Sequence, residues 1–242
     1  MLFRSFASLA RAGFDPVPLT PSSYTHHIVL PATAIEAVPY CINVTAGSGV
    51  SLGDNTYYEM GLVGRPGGFG ANSGIPVHNT TFTHINNANV QFLMPPDYTQ
   101  NNTLMIDNTF TSGTLTFSTA TTATNLAILG FGGGGTISAH YTVTHADAST
   151  EVGTISFNDW FNGGSFNAWG ANGRITSGGG YNNFNNSATH NNAPFLHAYN
   201  IIVSSNSPVV SITWDTPSNG AHVNILGVSG NAGGAEIGRA HV

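Results

Sequence analysis

Short extended segments, each closed by a cluster of Gly, Asn or Ser, recur along most of this chain. In "GTLTFS", Leu115 and Phe117 would point to one side of a strand, while Thr114 and Thr116 would point to the other. This period of two is typical of half-buried β-strands. Clusters such as "GRPGGFGANSG" and "SGGGYNNFNNSATHNN" separate the segments. Because no segment keeps a helical period, the pattern predicts an all-β protein, an antiparallel β-sandwich with long Gly/Asn-rich loops.

The composition supports this fold class. Gly, Asn, Thr and Ser together make up 104 of the 242 residues, and hydrophobic residues make up 40%. Thr favours strands, whereas Gly and Asn supply turns that need a positive φ. Aromatic and β-branched residues recur throughout, unlike in disordered chains. The sequence therefore predicts a packed core with a surface of neutral polar groups.

The charge pattern argues against several partners. The chain has no lysine, five arginines and a net charge of −6. A nucleic-acid binder needs clustered positive charge to neutralise phosphates, so we expect no nucleic-acid partner. No run of about 18 apolar residues is present, so we expect no membrane insertion. The single cysteine, Cys41, cannot form an internal disulfide, and we expect a small buried thiol in a strand.

The two ends differ from the rest of the sequence. Residues 1–16 read as a leader or a truncated N-terminal segment, and arginines at positions 4 and 11 argue against a signal peptide. We expect one β-sandwich domain over residues 17–230 and a tail over 231–242. The last six residues match what a common sequencing-library adapter encodes in frame. We therefore expect residues 237–242 to be adapter-encoded and the chain to come from a shotgun-sequenced, metagenomic library.

The stretch "FNDWFNGGSFNAWGANGRI", residues 157–175, is the first candidate site. It brings two tryptophans, Trp160 and Trp169, close in sequence to Asn172 and Arg174. A lone arginine among neutral residues needs a partner, and its planar fork suits a carboxylate or vicinal hydroxyls. The following stretch "GGGYNNFNNSATHNN" adds Tyr181 and Asn183.

Aromatic rings interleaved with amides match the chemistry of sugars. A ring stacks on the apolar C–H face of a sugar while amides bond its hydroxyls. We therefore expect Trp160, Trp169 and Tyr181 to stack on a glycan, and Asn172, Arg174 and Asn183 to donate or accept hydrogen bonds. The alternative is structural: Trp160 would plug one end of the sandwich, with Asp159 accepting turn N–H groups.

Metal and catalytic signals are weak. Asp54 and Asn55 lie in a turn where oxygen ligands could hold a structural Ca²⁺, but two side chains are too few for such a site and the pattern favours an Asx-turn, so we expect no cofactor. The histidines show no metal-binding spacing, and His140 and His145 would lie on opposite faces of one strand. No G-x-S-x-G motif is present. Glu59 and Asp159 could form a carboxylate pair, although nothing in the sequence brings them together.

Several motifs, taken in order, resemble one module. "GDNTYYEMGL", "QFLMPPDYTQNNTLMI", "GTLTFSTATTATNLAILGFGGGG", "YTVTHADASTEVGTISFNDWF", "NGRI" and "GAHVNILGVSG" are similar to a module recurrent in bacterial secreted and surface proteins. The module is a jelly-roll of the galactose-binding-like, carbohydrate-binding-module type. The resemblance covers roughly residues 53–230 and implies a non-catalytic, extracellular or surface module. Here Ala148 replaces the usual glycine of the "VTYADGS" hairpin.

Three functions follow as hypotheses. The first is a non-catalytic module that binds a neutral glycan through the loops of residues 160–192. The second is a self-assembling surface, fibre or capsid-type subunit, which long unpaired strand edges would favour. The third is a polysaccharide lyase or glycosidase, which a pocket with converging Arg, His and carboxylate would favour. We expect Trp160 to be buried, and Trp169 to be partly exposed and to contribute under about 1 kcal/mol to stability.

Overall fold

The computed structural model describes residues 13–26, 28–30, 32, 55–61, 74–171, 175–176, 194–215 and 221–232. These residues form short and long β-strands and one 3₁₀ turn, Pro21–Ser23. The strands are β1 (Phe14–Val17), β2 (Val29–Leu30), β3 (Asn55–Tyr58), β4 (Thr81–Thr83), β5 (Gln91–Leu93), β6 (Leu104–Ile106), β7 (Ser112–Thr121), β8 (Ala123–Gly133), β9 (Ile137–His145), β10 (Thr150–Phe157), β11 (Asn167–Gly170), β12 (Ile175–Thr176), β13 (Phe195–Ile202), β14 (Val209–Asp215) and β15 (His222–Ala232).

Two antiparallel sheets form the sandwich. The six-stranded sheet has the order β1-β15-β8-β13-β11, and β6 also pairs with β15. The four-stranded sheet has the order β10-β9-β14-β7. Two smaller sheets accompany them, β12-β3-β2 and β4-β5. The all-β antiparallel sandwich predicted from the sequence is confirmed, and its arrangement is compatible with a jelly-roll.

The central strands of the six-stranded sheet, β8 and β15, are buried on both faces along most of their length. Along β8, Leu126 and Ile128 contribute to the core shared with the four-stranded sheet, whereas Leu129 and Phe131 contribute to a second core on the opposite face. Tyr57, Phe92 and other residues outside the two large sheets cover this second face. A strand covered on both sides needs apolar residues at successive positions. This explains the unbroken apolar run "LAILGF", which departs from simple alternation.

The four-stranded sheet shows the simpler pattern that the sequence predicted. Leu115 and Phe117 of β7 are buried, while Thr114 and Thr116 are exposed. On the outer face, the hydroxyl of Thr114 lies 2.9 Å from that of Thr213 on β14. Cross-strand hydroxyl pairs of this kind stabilise a solvated sheet face that has almost no charge.

Some strands were not predicted from the sequence. β1 and β4 are short and lack a clear alternating pattern, and β11 lies inside "NGGSFNAWGANG", which reads as a loop. The predicted segments "AIEAV" and "CINVT", with Cys41, lie outside the described residues. Tertiary pairing creates the short strands: β1 is held by four consecutive pairs with β15.

The β9–β10 hairpin turn contains an alanine in a left-handed conformation. Ala148 has φ = 67°, its N–H donates to the carbonyl of His145 (2.9 Å), and the N–H of His145 donates to the carbonyl of Ser149 (3.0 Å). The chain thus keeps the backbone conformation that glycine would adopt at this position. For an L-residue with a Cβ, that conformation costs on the order of 1 kcal/mol.

We predict that Ala148→Gly raises the free energy of unfolding by about 1 kcal/mol, because it removes this strain. The matched control is Ala146→Gly in the same turn, where φ is not positive. There glycine should lower stability by about 0.5–1 kcal/mol, since it only adds freedom to the unfolded chain. Urea denaturation of the three proteins measures both changes. A loss of stability in Ala148→Gly would contradict the turn geometry.

A buried histidine and a carboxylate connect this hairpin to the loop between β13 and β14. Nδ1 of His145 lies 2.8 Å from the carbonyl oxygen of Ser207, and Nε2 lies 3.0 Å from Oε1 of Glu151. Glu151 also accepts the backbone N–H groups of Ser204 and Ser205, each at 3.0 Å. Partial burial would raise the pKa of Glu151, but these donors outweigh it and hold the pKa below its ordinary value. The ionised carboxylate therefore stabilises the folded state.

Because the folded-state pKa of Glu151 is lowered, its contribution is present at neutral pH. It should fade as the pH falls below about 4.3, the ordinary Glu pKa, towards the lower folded value. We predict that Glu151→Gln costs about 2 kcal/mol at pH 7 and progressively less below pH 4. Chemical denaturation from pH 7 to pH 3 measures the difference.

The control for this prediction is Asp215→Asn. Asp215 lies 3.2 Å from Nδ1 of His140, and both side chains are more than half exposed. An exposed pair of this kind contributes little, so the control should change stability by less than about 1 kcal/mol at every pH. A pH-independent cost of Glu151→Gln would show that its charge is not what holds the loop.

Candidate functional site

Two of the six predicted site residues lie in the described part of the chain. These are Trp160, directly after β10, and Trp169, on β11. The other four, Asn172, Arg174, Tyr181 and Asn183, lie outside the described residues, as does Asp54. Their roles stay predictions.

Asp159 organises the turn that carries Trp160. Its Oδ2 accepts the N–H of Gly135 (2.7 Å), and its Oδ1 accepts the N–H of Phe161 (2.9 Å). The N–H of Trp160 in turn donates to the carbonyl of Gly132 at the end of β8 (2.9 Å). The predicted role of Asp159 as an acceptor of turn N–H groups is confirmed.

Trp160 is fully buried, as expected from its position beside a strand. Its ring meets Tyr57 edge to face, with centroids 5.1 Å apart, and lies nearly parallel to Phe131 at 6.1 Å. It belongs to the second core, on the outer face of the six-stranded sheet, and does not plug an end of the sandwich. In this conformation the ring has no exposed face on which a sugar could stack. Among the described residues, the predicted stacking role therefore rests on Trp169.

Trp169 lies at the rim of the second core and is partly exposed, as predicted. A bulge in β11 between Asn167 and Trp169 places the tryptophan opposite Leu196. Its indole N–H donates to the carbonyl of Gly74 (3.0 Å), and its ring meets Phe82 edge to face at 5.5 Å. The hydrogen bond and the aromatic contact hold the ring in one orientation, while part of it remains open to solvent.

Residues of the β4–β5 hairpin extend the surface around Trp169. The N–H of Ile85 donates to the carbonyl of Ala168 (3.0 Å), and the side-chain amide of Asn86 donates to the carbonyl of Asn167 (3.1 Å). Ile85 is 53% exposed, and Asn86 is also exposed. We call the group Ile85, Asn86, Asn167 and Trp169 the β11 surface. Sequence reasoning missed Ile85 and Asn86 because they lie some eighty residues away from Trp169.

A second exposed aromatic residue lies next to this surface in sequence. Phe166 is 46% exposed, and its ring stacks on Tyr199 with centroids 5.2 Å apart. The N–H of Ala198 donates to the carbonyl of Phe166 (2.8 Å), which fixes the backbone beside β13. The start of β11 thus carries aromatic rings, amides and little charge.

The described histidines and carboxylates are engaged in structural contacts. Burial lowers the pKa of His197 and of His222 to about 4, so both are neutral at pH 7. Oδ1 of Asp107 accepts the N–H groups of Thr109 and Phe110, each at 2.7 Å. His197, His222 and Asp107 thus serve loops and strand ends, whereas His140 and Asp215 form an exposed pair on the outer face of the four-stranded sheet.

Glu59 and Asp159, which the sequence offered as a possible carboxylate pair, are also engaged in structural hydrogen bonds. Glu59 accepts the N–H of Ala32 (2.6 Å), and both the N–H and Nδ1 of His78 (3.0 and 2.7 Å). Asp159 is bonded to its own turn. Each carboxylate serves a different loop, and the geometry gives no support to a paired role in glycoside hydrolysis.

A separate open groove lies beside the 3₁₀ turn. It has a volume of about 680 Å³ and is lined by Pro21, Ser22, Tyr24, Pro96, Asp97, Thr99, Gln100 and Asn101. The hydroxyl of Tyr24 donates to the carbonyl of Leu226 (3.0 Å). The groove offers proline faces and amides but no exposed aromatic ring face comparable to Trp169.

Within the described part of the chain, no three His, Cys, Asp or Glu side chains are grouped so that they could hold a metal ion. The same residues contain no helix of the length and apolar character needed to cross a membrane. Comparison with known proteins adds no family: no family model matches the chain, and no curated protein matches it. The fold and the β11 surface are therefore the features of this protein that bear on its function.

The two tryptophans should differ in their contribution to stability. We predict that Trp160→Ala lowers the free energy of unfolding by about 3–5 kcal/mol, because it empties an aromatic site in the second core. Trp169→Ala should cost about 1–2 kcal/mol, since it removes one hydrogen bond and an edge contact from a partly exposed ring. This exceeds the value expected from sequence alone, because the indole N–H is bonded. Equilibrium denaturation measures both, and equal costs would contradict the assignment.

Proposed function

We propose that this protein is a non-catalytic module that binds a neutral glycan, acting outside the cell or at its surface. The observation that carries the proposal is Trp169, a partly exposed ring held in place by its bond to Gly74. A ring fixed before binding loses little conformational entropy when a sugar stacks on it. Asn86 lies on the hairpin that bonds to β11, and its exposed side-chain amide matches the hydroxyls of a sugar.

The charge of the surroundings fits a neutral ligand. Five arginines, no lysine and a net charge of −6 disfavour anionic polysaccharides as well as nucleic acid. The β11 surface itself contains no charged side chain. Recognition would depend on stacking and on neutral hydrogen bonds, which tolerate changes in salt concentration.

We predict that the protein is retarded by at least one neutral polysaccharide in affinity electrophoresis, and that Trp169→Ala reduces affinity at least tenfold, as the loss of an anchoring aromatic does. Asn86→Ala should weaken binding about five- to tenfold, as the loss of one neutral hydrogen bond does. Titration calorimetry with a soluble oligosaccharide from the retained polymer gives the values.

The matched control is Phe110→Ala. Phe110 is also a partly exposed aromatic residue, at 43%, but it lies in the loop after β6, where its ring meets His26. Its removal should leave affinity unchanged. Equal losses in the two variants, or full affinity in a folded Trp169→Ala protein, would refute the role of the β11 surface.

The self-assembling subunit remains the second candidate, and one observation favours it. β10 forms an edge of the four-stranded sheet, and its exposed residues are neutral. A long neutral edge of this kind is a template for pairing with another chain.

A further inference from the structure

The edge formed by β10 is regular along its whole length. β10 pairs with β9 at eight consecutive positions, from Thr150↔Thr144 to Phe157↔Ile137, without a register shift. The N–H of His145 donates to the carbonyl of Ser149, which fixes the odd-numbered residues of β10 as those bonded to β9. The backbone N–H and C=O groups of the even-numbered residues, Thr150, Val152, Thr154 and Ser156, therefore point away from the sheet.

Described residues bond to the edge strands β7, β11 and β1 of the two large sheets. At β7, the N–H of Thr20 donates to the carbonyl of Thr116 and the N–H of Ser118 to the carbonyl of Pro18, each at 2.9 Å. At β11, Ile85 bonds the carbonyl of Ala168.

At β1, the N–H of Phe14 donates to the carbonyl of Asn89 (2.6 Å), and Phe14 also forms a bridge with Val90. At β10, by contrast, no residue in the described part of the chain bonds to the outward-facing backbone groups, and Thr150, Val152, Thr154 and Ser156 are exposed.

Three of the usual protections of an edge strand are missing from β10. Natural edges carry Lys, Pro, a bulge or an inward charge. β10 has no Lys, no Pro and no bulge, and Val152 is 75% exposed. Its one charged residue, Glu151, lies on the core-facing side, opposite Val143, but its carboxylate is bonded within the same chain to His145 and the Ser204–Ser205 backbone.

We propose that β10 pairs with β10 of a second copy of this chain, antiparallel, to form one continuous eight-stranded sheet across a two-fold axis. In the register centred on Gly153, Val152 lies opposite Thr154 of the second copy and Thr150 lies opposite Ser156. All four outward-facing residues can then exchange backbone hydrogen bonds.

This register avoids steric and electrostatic conflict. Gly153 faces Gly153 across the axis, where two side chains would approach most closely. In each chain this glycine also leaves room for the side chain of Tyr141, with which a Cβ at this position would clash. Glu151 lies opposite Ile155, so no like charges face each other. The edge is therefore self-complementary, which a two-fold interface requires.

Residues 18–20 cover the edge of β7, and this limits the number of copies that can pair edge to edge. A fibre would need a free edge on both sides of each copy, whereas the four-stranded sheet has one free edge and one edge bonded to residues 18–20. Pairing through β10 therefore closes as a dimer. This inference does not depend on glycan binding, since β10 and the β11 surface lie on different sheets.

Sedimentation velocity of the full chain over a hundredfold concentration range tests the proposal. We expect a concentration-dependent monomer–dimer equilibrium in the wild type. Val152→Lys should abolish the dimer, because the two lysines become diagonal neighbours about 7–8 Å apart across the axis. Thr154→Pro should do the same, because it removes an outward N–H without breaking a bond to β9.

Ile202→Lys is the matched control, since Ile202 is 73% exposed but lies on β13. It should dimerise as the wild type does. Hydrogen exchange at high protein concentration should slow at Thr150, Val152, Thr154 and Ser156, and these amides should exchange at the monomer rate in Val152→Lys.

A wild type that stays monomeric at the highest concentration, or a Val152→Lys protein that still dimerises, would overturn the proposal. Growth of open-ended fibres would overturn the closed dimer. The folded monomeric Val152→Lys variant retains the β11 surface, so its glycan affinity tests the proposed function separately.

Discussion

The burial of the central strands β8 and β15 on both faces is the constraint on which the rest of the structure depends. Leu126 and Ile128 face one core, while Leu129 and Phe131 face the other. Because β8 cannot expose either face, the chain must supply a second cover outside the sandwich. The segments around Tyr57, Phe92 and Trp160 provide that cover. Trp169 is partly exposed because β11 lies at the margin of this second cover.

The scarcity of charge shapes how the carboxylates are used. With charged residues at 7% of the chain, the acidic groups that are present are mostly engaged in holding loops. Asp159 accepts the N–H of Phe161 in its own turn and that of Gly135 in the β8–β9 turn. Glu59 binds Ala32 and His78, and Glu151 holds the Ser204–Ser205 backbone. Backbone N–H groups in turns have no strand partner, and these carboxylates supply one. Carboxylates engaged in this way are poorly placed to act as acids or bases on a substrate.

Strands with a clear local pattern of apolar and polar residues could be predicted from the sequence. The alternation in "GTLTFS" fixed the buried side of β7, and the run "LAILGF" marked β8. The second core could not be predicted, because its members come from distant short segments and a continuous apolar run does not reveal what covers it. The burial of Trp160 followed from its place beside β10, whereas the hydrogen bond of Trp169 depends on Gly74, which no local pattern connects to it. The place of Asn86 beside β11 could not be predicted either, because no local pattern connects it to Asn167.

The two candidate surfaces follow from one difference between the sheets. The six-stranded sheet ends in β11, whose outer edge is occupied by Ile85 and Asn86 and therefore offers side chains instead of backbone groups. The four-stranded sheet ends in β10, whose outer edge offers backbone groups and neutral side chains. The first arrangement suits a small polar ligand, and the second suits another strand. A dimer through β10 would carry two β11 surfaces, and a polymeric glycan that reached both would bind the second at a high effective concentration. Weak stacking at a single tryptophan would then be sufficient for firm attachment to a polysaccharide.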